Sequence, residues 1–166
     1  MNYTISIRDA VATDLTAIVD IYNQSIPSRL ATADLEPITV ESRLSWYRDR
    51  AVDRPLWVAE IDRLVVAWLS FGLFYGRPAY RHTAEISIYV ANDYQGKGIG
   101  SSLLQKAIER CPELGIKTLL AFVFAHNRAS LSLFIRYGFT SWGNLPQVAE
   151  LDAVERDLTI LGLRVY

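Results

Sequence analysis

Three glycines at alternate positions, Gly96, Gly98 and Gly100, stand in "YQGKGIGSSLLQKAI" just where a helical pattern begins. Backbone that bare leaves consecutive amides unobstructed. Amides that end at a helix N-terminus carry partial positive charge, which suits phosphate oxygens. Two nucleotide loops do not fit. A P-loop requires Gly-Lys followed by Ser or Thr, whereas Gly98 follows Lys97. The dinucleotide fingerprint requires a βαβ repeat and a further glycine at the position where Ser101 stands. What remains is a phosphate cradle over residues 96–101, or a tight strand-to-helix turn with no ligand. A second reactive group lies upstream. Glu85 sits in "TAEISIYV" beside Thr83, Ala84 and Ile86, where burial would raise its carboxyl pKa toward that of a useful general base. A strand glutamate paired with a nearby arginine is the alternative. Cys111 precedes Pro112 at a helix end with no histidine in register, so thiol catalysis is not expected. His82 reads as a packing residue with a fixed tautomer. Neither it nor His126 has metal-ligand spacing, so no metal is expected. Trp46, Trp57, Trp68 and Trp142 read as core or interface rather than as a stacking platform.

These residues need elements to position them. "ISIR" (5–8) alternates like a short strand, and Leu15, Ile18, Val19, Tyr22 and Ile26 recur at helical spacing behind Thr13-Asp14, with Pro27 at the exit. A polar stretch, residues 28–37, leads to a second helix at 39–50. "LWVAEI" and "LVVAWLSF" are strand-like and joined by Asp62-Arg63, a two-residue hairpin link. The loop "GLFYGRPAYR" precedes a strand at 83–90. After the glycines, Ile99, Leu103, Leu104, Ala107 and Ile108 form one apolar helical stripe. "TLLAFVF" (118–124) reads as a buried strand, and Asn127 as the cap of a helix running to Tyr137, with Gly138 as its terminator. Strands near 140–148 and 154–165 finish the chain. The order β-α-α-β-β-β-α-β-α-β-β implies an α/β (α+β) domain, one mixed sheet flanked by helices, spanning residues 1–166.

Composition narrows the function. Hydrophobic residues make up 51% of 166, which suits a packed globule. Seventeen basic against eighteen acidic residues give a net charge of -1, so nothing recommends nucleic acid as a partner. No apolar stretch is long enough for a membrane span. "MNYTISIRDA" lacks a basic region followed by an apolar run, so no signal peptide is expected. A single cysteine fits a reducing compartment, and the expected location is cytoplasmic.

"ISIYV" followed by Gln95-Gly96-Lys97-Gly98-Ile99-Gly100 resembles the Q/R-x-x-G-x-G/A signature of the GNAT superfamily of N-acetyltransferases. "NRASLSLFIRYGF" (127–139) resembles that family's Asn-capped helix with its Gly-Phe pair, and the element order extends the likeness over nearly the whole chain. "RHTAEISIYV", "AHNRASLSLF" and "PQVAELDAVERDL" resemble the phosphinothricin and methionine sulfoximine acetyltransferase branch. The resemblance implies a GNAT fold, acetyl-CoA as cosubstrate, and direct acetyl transfer to the amine of a small amino-acid-like substrate. It also implies a set of roles. Glu85 is the catalytic base. The backbone of Gly96, Gly98, Ile99, Gly100 and Ser101 binds the pyrophosphate, with Lys97 adding charge at the rim. Ile88, Tyr89 and Val90 lie beside the pantetheine arm, the backbone of Ile88 and Val90 pairing with its amides. Asn127 reaches the arm, or serves as a plain helix cap, or both. Arg81 matches an arginine of the methionine sulfoximine enzymes and suits a substrate carboxylate. Those enzymes carry another arginine at Tyr75, for which Arg77 is a neighbouring stand-in. Phe134 departs from the pattern, because many members have tyrosine there and the herbicide-detoxifying branch histidine, each able to donate a proton. Tyr137 aligns with an apolar family position and reads as core. The resemblance and the apolar strand "LTILGLRV" imply a homodimer with the substrate pocket near its axis. Two rivals stand beside this reading. One is a protein or peptide N-acetyltransferase, which needs an open groove. The other is a catalytically inactive CoA-binding sensor, for which Phe134 argues and against which Glu85 weighs.

Overall fold

The computed structural model describes residues 4–166; Met1, Asn2 and Tyr3, part of the stretch read as lacking a signal peptide, lie outside them. The chain runs β1 (Ser6–Asp9), α1 (Leu15–Ser25), α2 (Val40–Arg48), β2 (Leu56–Ile61), β3 (Leu64–Leu73), β4 (Thr83–Val90), α3 (Ile99–Arg110), β5 (Thr118–Phe124), α4 (Arg128–Arg136), β6 (Thr140–Leu151) and β7 (Val154–Arg164). This is the order that the periodicity predicts.

The strands form one seven-stranded sheet in the order β1-β2-β3-β4-β5-β7-β6. Every pair is antiparallel except β4 with β5. Asp62 and Arg63 both take positive φ, 51° and 67°, as a two-residue turn between right-twisted strands requires. Asp152 and Ala153 repeat this between β6 and β7, at 51° and 62°. β6 runs past its expected end at 148. Pro146 cannot donate to the ladder, and the register shifts between Leu145 and Ala149. Gln147 is thrown to φ 53°, and its amide donates to Asp157 Oδ1 at 2.9 Å. Pairing then resumes to Leu151. β7, which carries the apolar run "LTILGLRV", is interior, between β5 and β6, and β6 is the edge strand.

Helices cover both faces. Ile99, Leu103, Leu104 and Ala107 of α3 and Phe134 of α4 pack with Ala84, Ile86, Leu119 and Ala121 in one core. Each large side chain so buried contributes about 1.5–3 kcal/mol. Ile18, Ile21 and Tyr22 of α1, with Trp46 of α2, pack against Leu56, Val58, Trp68 and Tyr89 on the other face. Trp57 and Trp68 are thus core residues, and Tyr137 packs at the margin of the first core. Trp142 is 48% exposed and lies over Gly162, where any side chain would collide with its ring. Cys111 is fully buried, which pushes its thiol up to about 12.

Candidate active site

The decisive feature of the sheet is where β4 and β5 part. They pair only from Thr83–Thr118 to Glu85–Leu120, while β4 continues to Val90. The amide of Ala91 donates to Val66 O at 2.8 Å, toward β3. By alternation, the backbone groups of Ile86, Ile88 and Val90 face the opening toward β5. The parting is therefore a free strand edge inside a sheet, able to take an extended ligand as an added strand.

A cleft of about 470 Å³ fills the opening, lined by Ile88, Tyr89 and Val90, by the glycine loop, by Asn127, Ser130, Leu133 and Phe134, and by Leu30 and Ala31. Gly96 and Gly98 take φ 72° and 81°, and a Cβ at either would meet no atom within 4 Å. Their bareness is therefore not needed for packing against protein. Their positive φ is instead backbone that glycine adopts freely, at a loop that lines the cleft and where Gly98 is the N-cap of α3. Gly100 has a different reason, since a Cβ there would come 3.4 Å from Leu133 Cδ2. Gln95 Nε2 donates to Val90 O at 3.2 Å, holding the loop against the strand end. Lys97 Nζ donates to Asp93 O at 2.8 Å and lies over the Tyr94 ring.

The opposite wall is held by three side chains acting on consecutive carbonyls. His126 Nε2 donates to Arg29 O at 2.8 Å, Asn127 Nδ2 to Leu30 O at 3.1 Å, and the Tyr89 hydroxyl to Ala31 O at 3.1 Å. Asn127 Oδ1 also accepts from the Ser130 amide at 3.1 Å, so the side chain caps α4 and ties the wall. Tyr89 stacks on Trp68 with ring centroids 4.6 Å apart. Its backbone faces β3, so of the three β4 residues that line the cleft Ile88 and Val90 present theirs to the opening. The residues from Ser28 to Ala31 were read in the sequence only as part of a polar link, which hid their place in this wall.

Glu85 stands where the pairing of β4 with β5 ends. It is half-buried, and burial raises its carboxyl pKa above the usual glutamate value. No hydrogen bond or ion pair engages it among the described residues, so the paired-glutamate alternative fails. Gly72 lies opposite it on β3; a Cβ there would come 3.7 Å from the Cβ of Glu85, so the glycine leaves space beside the carboxylate.

The remaining candidates lie elsewhere. Tyr75, Arg77 and Arg81 are exposed on the β3–β4 loop and line no part of the cleft. Tyr75 takes φ 55° and packs on Phe74 and Tyr80. Arg81 Nε donates to His82 Nε2 at 3.0 Å, so His82 donates from Nδ1 to Gly115 O at 2.7 Å. His82 is thereby fixed in one tautomer as a packing group. Phe134 is buried edge-on to Phe139 at the cleft wall. Among the described residues no group of three or more His, Cys, Asp or Glu stands together to hold a metal, and no helix is long and apolar enough to cross a membrane.

The model of the acetyltransferase (GNAT) family covers residues 15–139. The chain belongs to this family. GNAT-family relatives extend the likeness to nearly every residue. YwnH of Bacillus subtilis (strain 168), provisionally assigned as a phosphinothricin acetyltransferase, is 51% identical over 95% of this chain and 97% of its own length. The L-methionine sulfoximine/L-methionine sulfone acetyltransferase of Pseudomonas aeruginosa is 35% identical over 96% of this chain and 94% of its own. The crystal structure of a phosphinothricin acetyltransferase from Sinorhizobium meliloti in complex with acetyl-CoA superposes with a TM-score of 0.91. It shares 29% identity, covering 97% of this chain and 88% of the other. The seven-stranded mixed sheet with its four helices is the GNAT fold, and the chain is an N-acetyltransferase.

Proposed function

We propose that this enzyme transfers an acetyl group from acetyl-CoA to the primary amine of a small amino-acid-like molecule, of the phosphinothricin or methionine sulfoximine type, by direct attack. The observation that carries the proposal is the opening between β4 and β5. The cleft runs from the glycine loop along Ile88, Tyr89 and Val90. The strands rejoin at Glu85, which lies outside the cleft's lining but farther along β4 from its inner end. The cradle fits the pyrophosphate, because Gly96 and Gly98 present amides with no side chain in the way. The free edge of Ile88 and Val90 fits an arm bearing amides. Bound there, acetyl-CoA supplies an acetyl carbon activated as a thioester, whose C–S bond breaks to release thiol as the new N–C bond forms.

The chain's own residues prepare the nucleophile. At neutral pH an aliphatic ammonium of pKa ~10.4 is almost wholly protonated and cannot attack. Glu85 takes that proton on its carboxylate and later returns it to solvent. The cleft-facing amides of Ile88 or Val90 are placed to donate to a developing oxyanion. Phe134 offers no proton, so the thiolate leaves without an acid at that position; a thiol of pKa near 8.5 tolerates this. Arg81, Arg77 and Tyr75 hold a substrate carboxylate in this reading; their exposed place on the loop between β3 and β4, whose strands carry Gly72 and Glu85, supports it, although they line no part of the cleft. We also propose a homodimer, supported by exposed Trp142, Leu145 and Val148 on the edge strand β6, and a cytoplasmic location, which the single buried thiol suits.

The test is CoA release by the purified chain with acetyl-CoA and a panel of amines that includes L-methionine sulfoximine, L-methionine sulfone and phosphinothricin. Turnover of at least one small amino-acid-like amine is expected. Turnover confined to peptides or protein N-termini would replace this reading with a protein acetyltransferase.

A further inference from the structure

Position 29 carries a residue that its backbone does not favour. Arg29 follows a short turn, Ile26–Ser28, and takes the left-handed conformation with φ 55°. Glycine adopts that conformation freely, whereas a Cβ strains it. A strained backbone persists where the surroundings over-determine it, and it points to a use for the side chain. Here the guanidinium is fully engaged. Nε and Nη2 donate to the two carboxylate oxygens of Asp152 at 2.7 and 3.2 Å. Nη1 donates to Ile26 O at 3.3 Å and to Leu35 O at 2.9 Å.

Asp152 opens the two-residue turn between β6 and β7, and Arg29 is its hydrogen-bond partner, which lowers its carboxyl pKa. The pair therefore joins the last hairpin to the α1–α2 connection. That connection is a wall of the cleft: Arg29 does not line the cleft itself, but Ser28, Leu30 and Ala31 do. Among the described residues, 30–36 make no backbone–backbone hydrogen bond, so side chains from elsewhere set the wall's position. His126, Asn127 and Tyr89 hold the carbonyls of Arg29, Leu30 and Ala31, and the Tyr22 hydroxyl binds Thr32 and Asp34. Arg29 with Asp152 is the tie from the β6–β7 turn, and it acts where the wall begins. A lone exposed ion pair contributes little, but a two-pronged one within a network does more.

We propose that Arg29 and Asp152 are positioning residues for acetyl-CoA, whose ion pair anchors the cleft wall to the β6–β7 turn. A wall without backbone hydrogen bonds has to be ordered when the ligand binds, and ordering it beforehand removes that cost from the affinity. Neither side chain touches the ligand; both act through Ser28, Leu30 and Ala31. The turn of the last hairpin is thereby coupled to the cofactor end of the site. The inference rests on the reading of the cleft as the place of acetyl-CoA.

The test is calorimetric titration of the full chain with acetyl-CoA, beside thermal melts. R29Q and D152N should each raise Kd roughly three- to tenfold, between the effect of an exposed ion pair and that of a hydrogen bond to a charged group. The double variant R29Q/D152N should lose no more than either single one, as for one shared interaction. R29G separates positioning from stability. Glycine relieves the left-handed strain, so the melting temperature should change little while affinity falls as in R29Q. D152N, at an exposed turn position that asparagine suits, carries the test should an Arg29 variant fail to fold. Unchanged Kd in R29Q and D152N overturns the inference, and so do additive losses in the double variant. Affinity that falls only in step with melting temperature marks general damage and overturns it as well. Absence of acetyl-CoA binding by the unmodified chain overturns the reading of the cleft and this inference with it.

Discussion

Glu85→Gln removes the proton acceptor while keeping size and shape. The free fraction of the substrate amine sets the size of the effect. For an ammonium of pKa ~10.4, about one molecule in 2,500 is free at pH 7 and about one in 25 at pH 9. If Glu85 serves to generate the free amine, the variant should lose roughly 10³ in turnover at pH 7, within the 10²–10⁴ typical of general-base loss. The deficit should shrink about tenfold per pH unit, to roughly tenfold at pH 9. Acetyl-CoA affinity should hold, because the cradle lies at the far end of β4. Stability gives a second readout. Burial raises the Glu85 pKa, so between its ordinary and raised values the folded chain binds more protons than the unfolded one. Folding stability from this group therefore falls as pH rises through that window. Glutamine has no such charge to desolvate, so the variant should melt at or above the temperature of the unmodified chain at pH 7. The assay is CoA release from pH 6 to 9 with parallel thermal melts. Equal turnover at every pH, or a deficit that does not shrink as pH rises, refutes the role.

Gly98→Ala should weaken acetyl-CoA binding, measured by calorimetry, because its Cβ meets no protein atom and Gly98 lines the cleft. Gly115→Ala is the control: Gly115 also has positive φ, 68°, and open space, so it should show a similar backbone cost, about 1–2 kcal/mol, and normal affinity. Asn127→Asp keeps the cap on Ser130 but loses the donor to Leu30 O, so the melting temperature should change little while KM for acetyl-CoA rises. Asn127→Ala should lose both, with about 1 kcal/mol from the cap alone. Sedimentation of the unmodified chain at micromolar concentration should give twice the monomer mass of 18.8 kDa, and Trp142→Glu should shift it toward monomer; a monomer before substitution refutes the dimer.

The sequence by itself determined the element order, the sheet-and-helix class and the phosphate loop, because each is a local pattern. Period-two and period-3.6 apolar spacing, Asp62-Arg63 as a tight link, Asn127 as a cap and bare glycines at a helix start all act within a few residues of themselves. Glu85 was legible too, as a carboxylate set between apolar neighbours, but whether it had an arginine partner was not. Only the fold decided that, by placing Gly72 opposite it and engaging Arg50, which reaches the neighbouring strand, with the carbonyls of Arg54, Pro55 and Phe71. Pairing that stops at Glu85–Leu120 was equally hidden, since no local signal marks where two strands 35 residues apart in register diverge. The same holds for His126, Asn127 and Tyr89, which meet three successive carbonyls of the α1–α2 connection. The apolar run of β7 is likewise visible in the chain, whereas its place between β5 and β6 depends on how the last hairpin docks. Local spacing determines what an element is; long-range pairing determines which side chains it faces.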